Sequence, residues 1–183
     1  MSDYRRLHLG CGRIYIPGFF HVDMRADSHV DHQGPVEVLD FVPDGEVELI
    51  YASHILEHFG RYEYRRVLAE WFRVLQTGGV LRLAVPDFAA CVRLYQKQGL
   101  VKEDQNLIGL LCGGQSDELD YHKMVFDEPS LTCALRETGF SVVRPWDWRT
   151  TNHAGIDDYS QAYLPHLDKA SGIHMSLNLE AVK

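Results

Sequence analysis

The chain has 183 residues, 45% of them hydrophobic and 24% charged, with 15 glycines and 7 prolines, a composition that suits one compact globular domain and excludes disordered, collagen-like and coiled-coil architectures. Lys plus Arg total 18 against 26 Asp plus Glu, a net charge of −8 without a basic run, so nucleic acid is not an expected partner. No apolar run approaches the roughly 20 residues that span a bilayer, and four scattered cysteines with no CxxC pair and no leading signal peptide argue against a disulfide framework or a zinc ribbon; a reduced, cytoplasmic setting is the expectation.

Arg6 to Leu9 reads as a short buried strand running into Gly10-Cys11-Gly12, and Phe19 to Val22 as a second, ending at Asp23. Val47 to Ala52 is a third clear strand. A helix follows from about Arg61 to Leu75, its face built by Tyr64, Val67, Leu68, Trp71, Phe72 and Leu75, with Arg65, Arg66, Glu70 and Arg73 on a solvated side. Gln76-Thr77-Gly78-Gly79 is expected to stop that helix. Val80 to Val85 is the next strand, followed by a helix to about Gln98. A further helix runs from Pro129 to about Thr138, where Pro129 and Glu128 mark the start. Strands at Phe140 to Val143 and His174 to Val182 complete the chain, the last alternating Met175, Leu177, Leu179 and Ala181 with polar residues. This alternation predicts one layered α/β domain over residues 1–183, with parallel strands, an antiparallel closing strand, and insertions at about 99–127 and 144–173. A loop as long as the second of these is expected to serve as a lid or substrate wall.

A glycine turn at the carboxyl end of a first strand lets backbone approach a ligand, and an acid ending the second strand can accept hydrogen bonds from two vicinal hydroxyls. Gly10, Gly12 and Asp23 hold those places. Read in order, Leu7-His8-Leu9-Gly10-Cys11-Gly12, then Val22-Asp23, then the Val47 to Phe59 stretch VELIYASHILEHF, then Val74 to Asp87 (VLQTGGVLRLAVPD) resemble the class I S-adenosylmethionine-dependent methyltransferases. The resemblance is strongest to a small bacterial group with LNLGCG, NVD, ASHVLEHF and LKPGG motifs. Residues 6–87 carry most of it, with looser likeness in His122 to Phe140 and Ser176 to Ala181.

The resemblance implies a Rossmann-like seven-stranded sheet of order 3-2-1-4-5-7-6, last strand antiparallel, with S-adenosyl-L-methionine bound over the carboxyl ends of the first four strands. Carried over, Gly10, Cys11 and Gly12 face the methionine part, Asp23 holds the ribose and Met24 packs near the adenine. Asp31, with His32, would be the acid after the third strand. Ser53 and His54 fall near the reacting sulfonium, and His58 is also placed at the cofactor. Three departures stand out. His8 occupies a place usually held by an acid, Ile14 replaces the third glycine of the longer signature, and Arg13 to Gly18 is too short for a crossover helix, so the first helix should be shortened or absent.

His54 to His58 also spells HxxEH, which on one helix could hold a catalytic zinc. Because the five residues lie where a strand hands over to a helix, the favoured reading is that Glu57 and His58 brace the helix start, and no metal is expected. Trp71 is expected in the core, and Cys91, Cys112 and Cys133 as small core residues; Trp146, Trp148, Tyr159 and Tyr163 are candidates for stacking on a sugar. Since a sulfonium methyl is already activated, alignment is the main task, and His122, His54 and Asp87 are the first candidates for a catalytic base, with His58 and Asp120 behind them. The expected activity is methyl transfer to a small molecule, an oxygen of a carbohydrate or cell-surface glycan precursor first. A cofactor-binding regulatory or assembly domain without transfer activity is the alternative, a zinc hydrolase a remote one, and oligomerisation is left open.

Overall fold

The computed structural model describes residues 4–100 and 107–183. Seven strands form one sheet: β1 (Arg6–Leu9), β2 (Phe20–Asp23), β3 (His32–Gln33), β4 (Val47–Ser53), β5 (Leu75–Pro86), β6 (Val142–Pro145) and β9 (Ser176–Val182). Their order is β3-β2-β1-β4-β5-β9-β6, the predicted order with β9 as the seventh strand of the sheet. The first five strands are parallel, and β9 runs antiparallel to both neighbours. A separate antiparallel pair, β7 (Tyr163–Leu164) and β8 (Ile173–His174), lies in the second insertion. The last predicted strand is thereby split at Met175, whose N–H donates to Ala162 O and whose carbonyl accepts from Asp87 N. In the first insertion, residues 101–106 lie outside the described residues.

Four α-helices are described: α1 (Tyr64–Val74), α2 (Phe88–Gln98), α3 (Leu107–Cys112) and α4 (Glu128–Thr138). In α1, Tyr64, Val67, Leu68, Trp71 and Val74 are buried, as the three-and-four spacing requires, and Trp71 Nε1 donates to Val36 O at 2.9 Å. A reciprocal Asp127–Ser130 capping box starts α4, with Pro129 in its first turn. As the short connection implies, no helix lies between β1 and β2.

Three expectations are corrected. The glycine pair does not stop α1. Leu75 is already extended and fully buried, while the Lys183 ammonium donates to Phe72 O at 2.6 Å and Leu75 O at 2.7 Å, satisfying the carbonyls at the helix end. Gly78, at φ +79°, instead turns the start of β5 against the carboxyl-terminal residue, its N–H donating to Lys183 O. Cys112 and Cys133 are exposed rather than core; Cys133 lies beside Glu137 on the outer face of α4. Arg73 is not simply solvated: its guanidinium forks onto Glu70, Asp44, Leu39 O and Val42 O, anchoring the β3–β4 connection to α1.

Candidate active site

A cavity of about 790 Å³ opens at the carboxyl ends of the parallel strands. One wall is the bend after β1. Gly10 sits at φ +65°, where a Cβ would come within 2.7 Å of Ile55 Cγ1, so both conformation and space require glycine. Gly10 N and Cys11 N share Val22 O, and Gly12 N–H donates to Asp23 Oδ2 at 2.7 Å. Arg25 N–H occupies the other oxygen, Oδ1, at 2.8 Å. Asp23 therefore welds the bend to the end of β2 while its carboxylate borders the cavity, each oxygen retaining acceptor capacity. The Cys11 thiol is neutral, pushed up to about 12 by burial and then by Asp23.

The opposite wall begins where β4 ends. His54 adopts φ +52°, uncommon for a residue with a side chain. A chain of hydrogen bonds fixes it there: Asn178 Nδ2 donates to Ser160 O, Ser176 Oγ donates to Asn178 Oδ1, and His54 Nε2 lies 3.0 Å from Ser176 Oγ. With the hydroxyl proton given to Asn178, Ser176 accepts from His54 Nε2–H, which leaves Nδ1 bare. Burial, followed by the neighbouring His122 and His58, lowers the His54 pKa to about 3. Next comes the one-turn 3-10 segment Leu56–His58, in which Glu57 is fully buried and neither carboxylate oxygen has a hydrogen-bond partner among the described residues. Burial pushes Glu57 up to about 8, opposed by its own backbone amide. Burial also lowers His58 and His122.

Gly10, Cys11, Gly12, Asp23, Met24, Ser53, His54 and His58 thus line one cavity. Asp31 and His32 do not: Asp31 accepts from His21 N at 2.8 Å, and His32 stacks on Phe41. The acid that reaches the cavity from the β3–β4 connection is Glu37, flanked by Val36 and Val38. Asp87 precedes α2 without a side-chain cap bond and pairs with Arg93 at 3.6 Å away from the lining, while His122 sits behind His58, ring edge to face at 4.8 Å. Of the four aromatic residues considered for stacking, Tyr159 alone lines the cavity; Trp146 Nε1 is bonded to Leu83 O, and the Trp148 face carries Arg149 and Lys169. Arg66 on α1 and Glu63 just before it also line it, as do Asp158 and Lys123. No motif announced these residues; Arg66 was assigned by helical spacing to a solvated face. The second insertion returns over one face of the sheet and is tied down by Tyr51 Oη donating to Asp158 Oδ2 at 2.5 Å.

Comparison with known proteins bears on this arrangement. A family model described as a methyltransferase domain matches residues 21–83, from β2 through most of β5. None of the curated proteins matches the sequence. Among solved structures, a SAM-dependent methyltransferase from Archaeoglobus fulgidus is 15% identical with a TM-score of 0.59, covering 99% of this chain and 88% of that one. The 1,6-didemethyltoxoflavin-N1-methyltransferase of Burkholderia thailandensis, solved with 1,6-didemethyltoxoflavin and S-adenosylhomocysteine, is 17% identical with a TM-score of 0.57, covering 97% and 70%. A candidate O-methyltransferase from Nostoc punctiforme is 13% identical with a TM-score of 0.58 over the whole chain, which spans only 53% of that protein. With the strand order, these likenesses establish a Rossmann-like methyltransferase fold. No helix among the described residues is long and apolar enough to cross a membrane.

Proposed function

We propose that the chain binds S-adenosylmethionine in this cavity and transfers its methyl group to a small-molecule acceptor, with an oxygen of a carbohydrate or glycan precursor as the first acceptor class. The observation that carries the reading is the Gly10–Gly12 bend locked onto Asp23 at the mouth of parallel β1 and β2. The cavity suits such a cofactor: Asp23 keeps lone pairs for a ribose diol, nothing lies within 4 Å of the place a Gly12 Cβ would take, and Met24, Val36 and Val38 offer an apolar wall for a base. When bound, the cofactor supplies an activated sulfonium methyl.

The chain's own residues do the positioning. His54, held neutral by burial, is a weak base and a rigid wall, which makes alignment the larger contribution. Tyr159, mostly exposed, presents a ring to the cavity mouth, supporting an acceptor with a flat or sugar-like face. The Burkholderia structure, solved with 1,6-didemethyltoxoflavin, supports a small-molecule acceptor in general and not an oxygen or a sugar in particular. Calorimetric titration with S-adenosylhomocysteine should give one site per chain, weakened by more than about 10-fold in Asp23→Ala through loss of charge-assisted hydrogen bonds. Methyl transfer is then assayed over a panel of sugars, phenols and amines. No heat with either sulfur compound refutes the reading; binding without turnover on any acceptor assigns the chain to a non-catalytic role.

A further inference from the structure

Beneath the cavity floor, Glu57, His58 and His122 bring one donor atom each to within 4.8 Å of one another. Glu57 and His58 are adjacent in the 3-10 turn, and His122 arrives from the segment before α4, so no local spacing reveals the group. The lone pairs in it have nothing to bind. His122 Nδ1 lies 2.9 Å from Leu110 O, and because a carbonyl only accepts, Nδ1 carries the proton and Nε2 is bare. That bare Nε2 faces Glu57 Oε1 at 3.8 Å. From the other side the bare Nδ1 of His54 faces the same oxygen at 3.4 Å. His58 Nδ1 is buried without a partner, as are both Glu57 oxygens. Acceptors thus converge on a fully buried carboxyl group, an arrangement that either a proton on Glu57 or a bound cation must hold together.

We propose that Glu57, His58 and His122 bind one divalent first-row transition-metal ion, with His54 outside the coordination sphere. Two imidazoles and a carboxylate are the donor set that zinc and its neighbours favour, and the Leu110 carbonyl on His122 Nδ1 supplies the usual outer support. Metal–ligand bonds of about 2.0–2.2 Å require donors about 3.2–3.6 Å apart, a contraction that small ring rotations of His58 and His122 provide. His58 also lines the cavity, so an open coordination position would face the acceptor side. There the ion would take an oxygen donor such as an acceptor hydroxyl, a role that rests on the proposed function, whereas metal binding itself does not. The ion is placed outside the HxxEH geometry of a peptidase, because His54 precedes the 3-10 turn and shares no helix with His58.

The test uses the full chain, stripped with chelator and titrated with zinc chloride by calorimetry in the absence of any cofactor, with bound metal counted by elemental analysis. One equivalent per chain is expected, with affinity reduced by about 100-fold or more in His122→Ala and in Glu57→Gln. Removal of the exposed His166 in His166→Ala should change nothing. Circular dichroism verifies folding of each variant, and the Glu57→Gln change preserves shape while removing the charge. Cobalt(II) substitution should give visible absorption bands that His122→Ala abolishes. Substoichiometric zinc, or equal affinity in parent and both variants, overturns the proposal and leaves Glu57 as a buried protonated acid. A parallel titration of the metal-free protein with S-adenosylhomocysteine separates this failure from failure of the cofactor reading.

Discussion

Gly10→Ala tests the geometry at the heart of the site. At φ +65° an alanine pays about 1–2 kcal/mol for the left-handed backbone. Its Cβ would also lie 2.7 Å from Ile55 Cγ1, 2.8 Å from Cδ1 and 3.0 Å from Cβ, well inside contact distance. Overpacking of that kind costs about 1–3 kcal/mol, so the variant should lose about 2–5 kcal/mol, a drop of about 4–20 °C in Tm for a domain of this size. The two contributions separate in a double-mutant cycle with Ile55→Ala, which removes Cγ1 and Cδ1 but not Cβ. Measured by urea denaturation, Ile55→Ala should cost about 1 kcal/mol less in the Gly10→Ala background than in the parent, because there it also relieves a clash. A Gly10→Ala penalty below about 0.5 kcal/mol would refute the bend as described, and additive single variants would refute the Ile55 contact specifically.

Two further outcomes follow from buried charge. His8 is 2% exposed, and burial, then the neighbouring His21, holds its pKa down to about 3, whereas in the unfolded chain it titrates near 6.5. Acid therefore favours the unfolded chain: the stability due to neutral His8 is intact above about pH 6.5 and is lost as pH falls, by about 2 kcal/mol at pH 5. His8→Phe should remove that much of the pH dependence between pH 7.5 and 5 in denaturant midpoints; an unchanged slope would show that His8 does not carry it. Arg73→Ala should cost about 2 kcal/mol, moderated by partial exposure. Arg73→Lys should recover less than half, since one ammonium cannot span Glu70, Asp44 and two carbonyls. Full recovery by lysine would reduce the fork to simple charge.

What the amino-acid pattern revealed and what it concealed divide along a physical line. Strands largely buried on both faces are rich in apolar residues, so Arg6–Leu9, with Leu7 and Leu9, and Val47–Ser53, with Ile50, Tyr51 and Ala52, are visible as strands, and the β1 bend is visible because its backbone favours glycine. Gly10, Gly12, Asp23, Ser53 and His54, the residues expected at a cofactor, are contiguous with such strands and line one cavity. Residues brought in by irregular backbone leave no periodic trace. Glu37 comes from the long β3–β4 connection, Tyr159 from a one-turn helix in the second insertion, and His122 from the segment before α4. Asp31 is the reading most exposed to this difficulty: it stands just before a two-residue strand rather than after it, and its side chain turns to His21 instead of the cavity. The α1 terminus misled for a related reason, since the group that satisfies its carbonyls, the Lys183 ammonium, is more than a hundred residues away.

Two oddities of the sequence, the missing crossover after β1 and the long second insertion, are one structural fact. A parallel sheet needs both faces covered, and without a helix between β1 and β2 one face would expose Phe19, Tyr51 and Leu49 to water. In the fold these residues form their own apolar cluster with Ile14 and Ile16 from the short connection and Trp146 and Ile156 from the insertion. His153, also from the insertion, packs on Tyr51 with ring centroids 4.8 Å apart, and the Tyr51–Asp158 hydrogen bond closes the seam. The insertion thus supplies the cover that a first helix would have given, and in crossing the sheet it delivers Asp158 and Tyr159 to the cavity mouth. Packing of this cluster and construction of the cavity wall are therefore coupled. A substitution at Ile16, Phe19, Trp146 or Ile156 acts on that wall through packing, since none of the four lines the cavity itself.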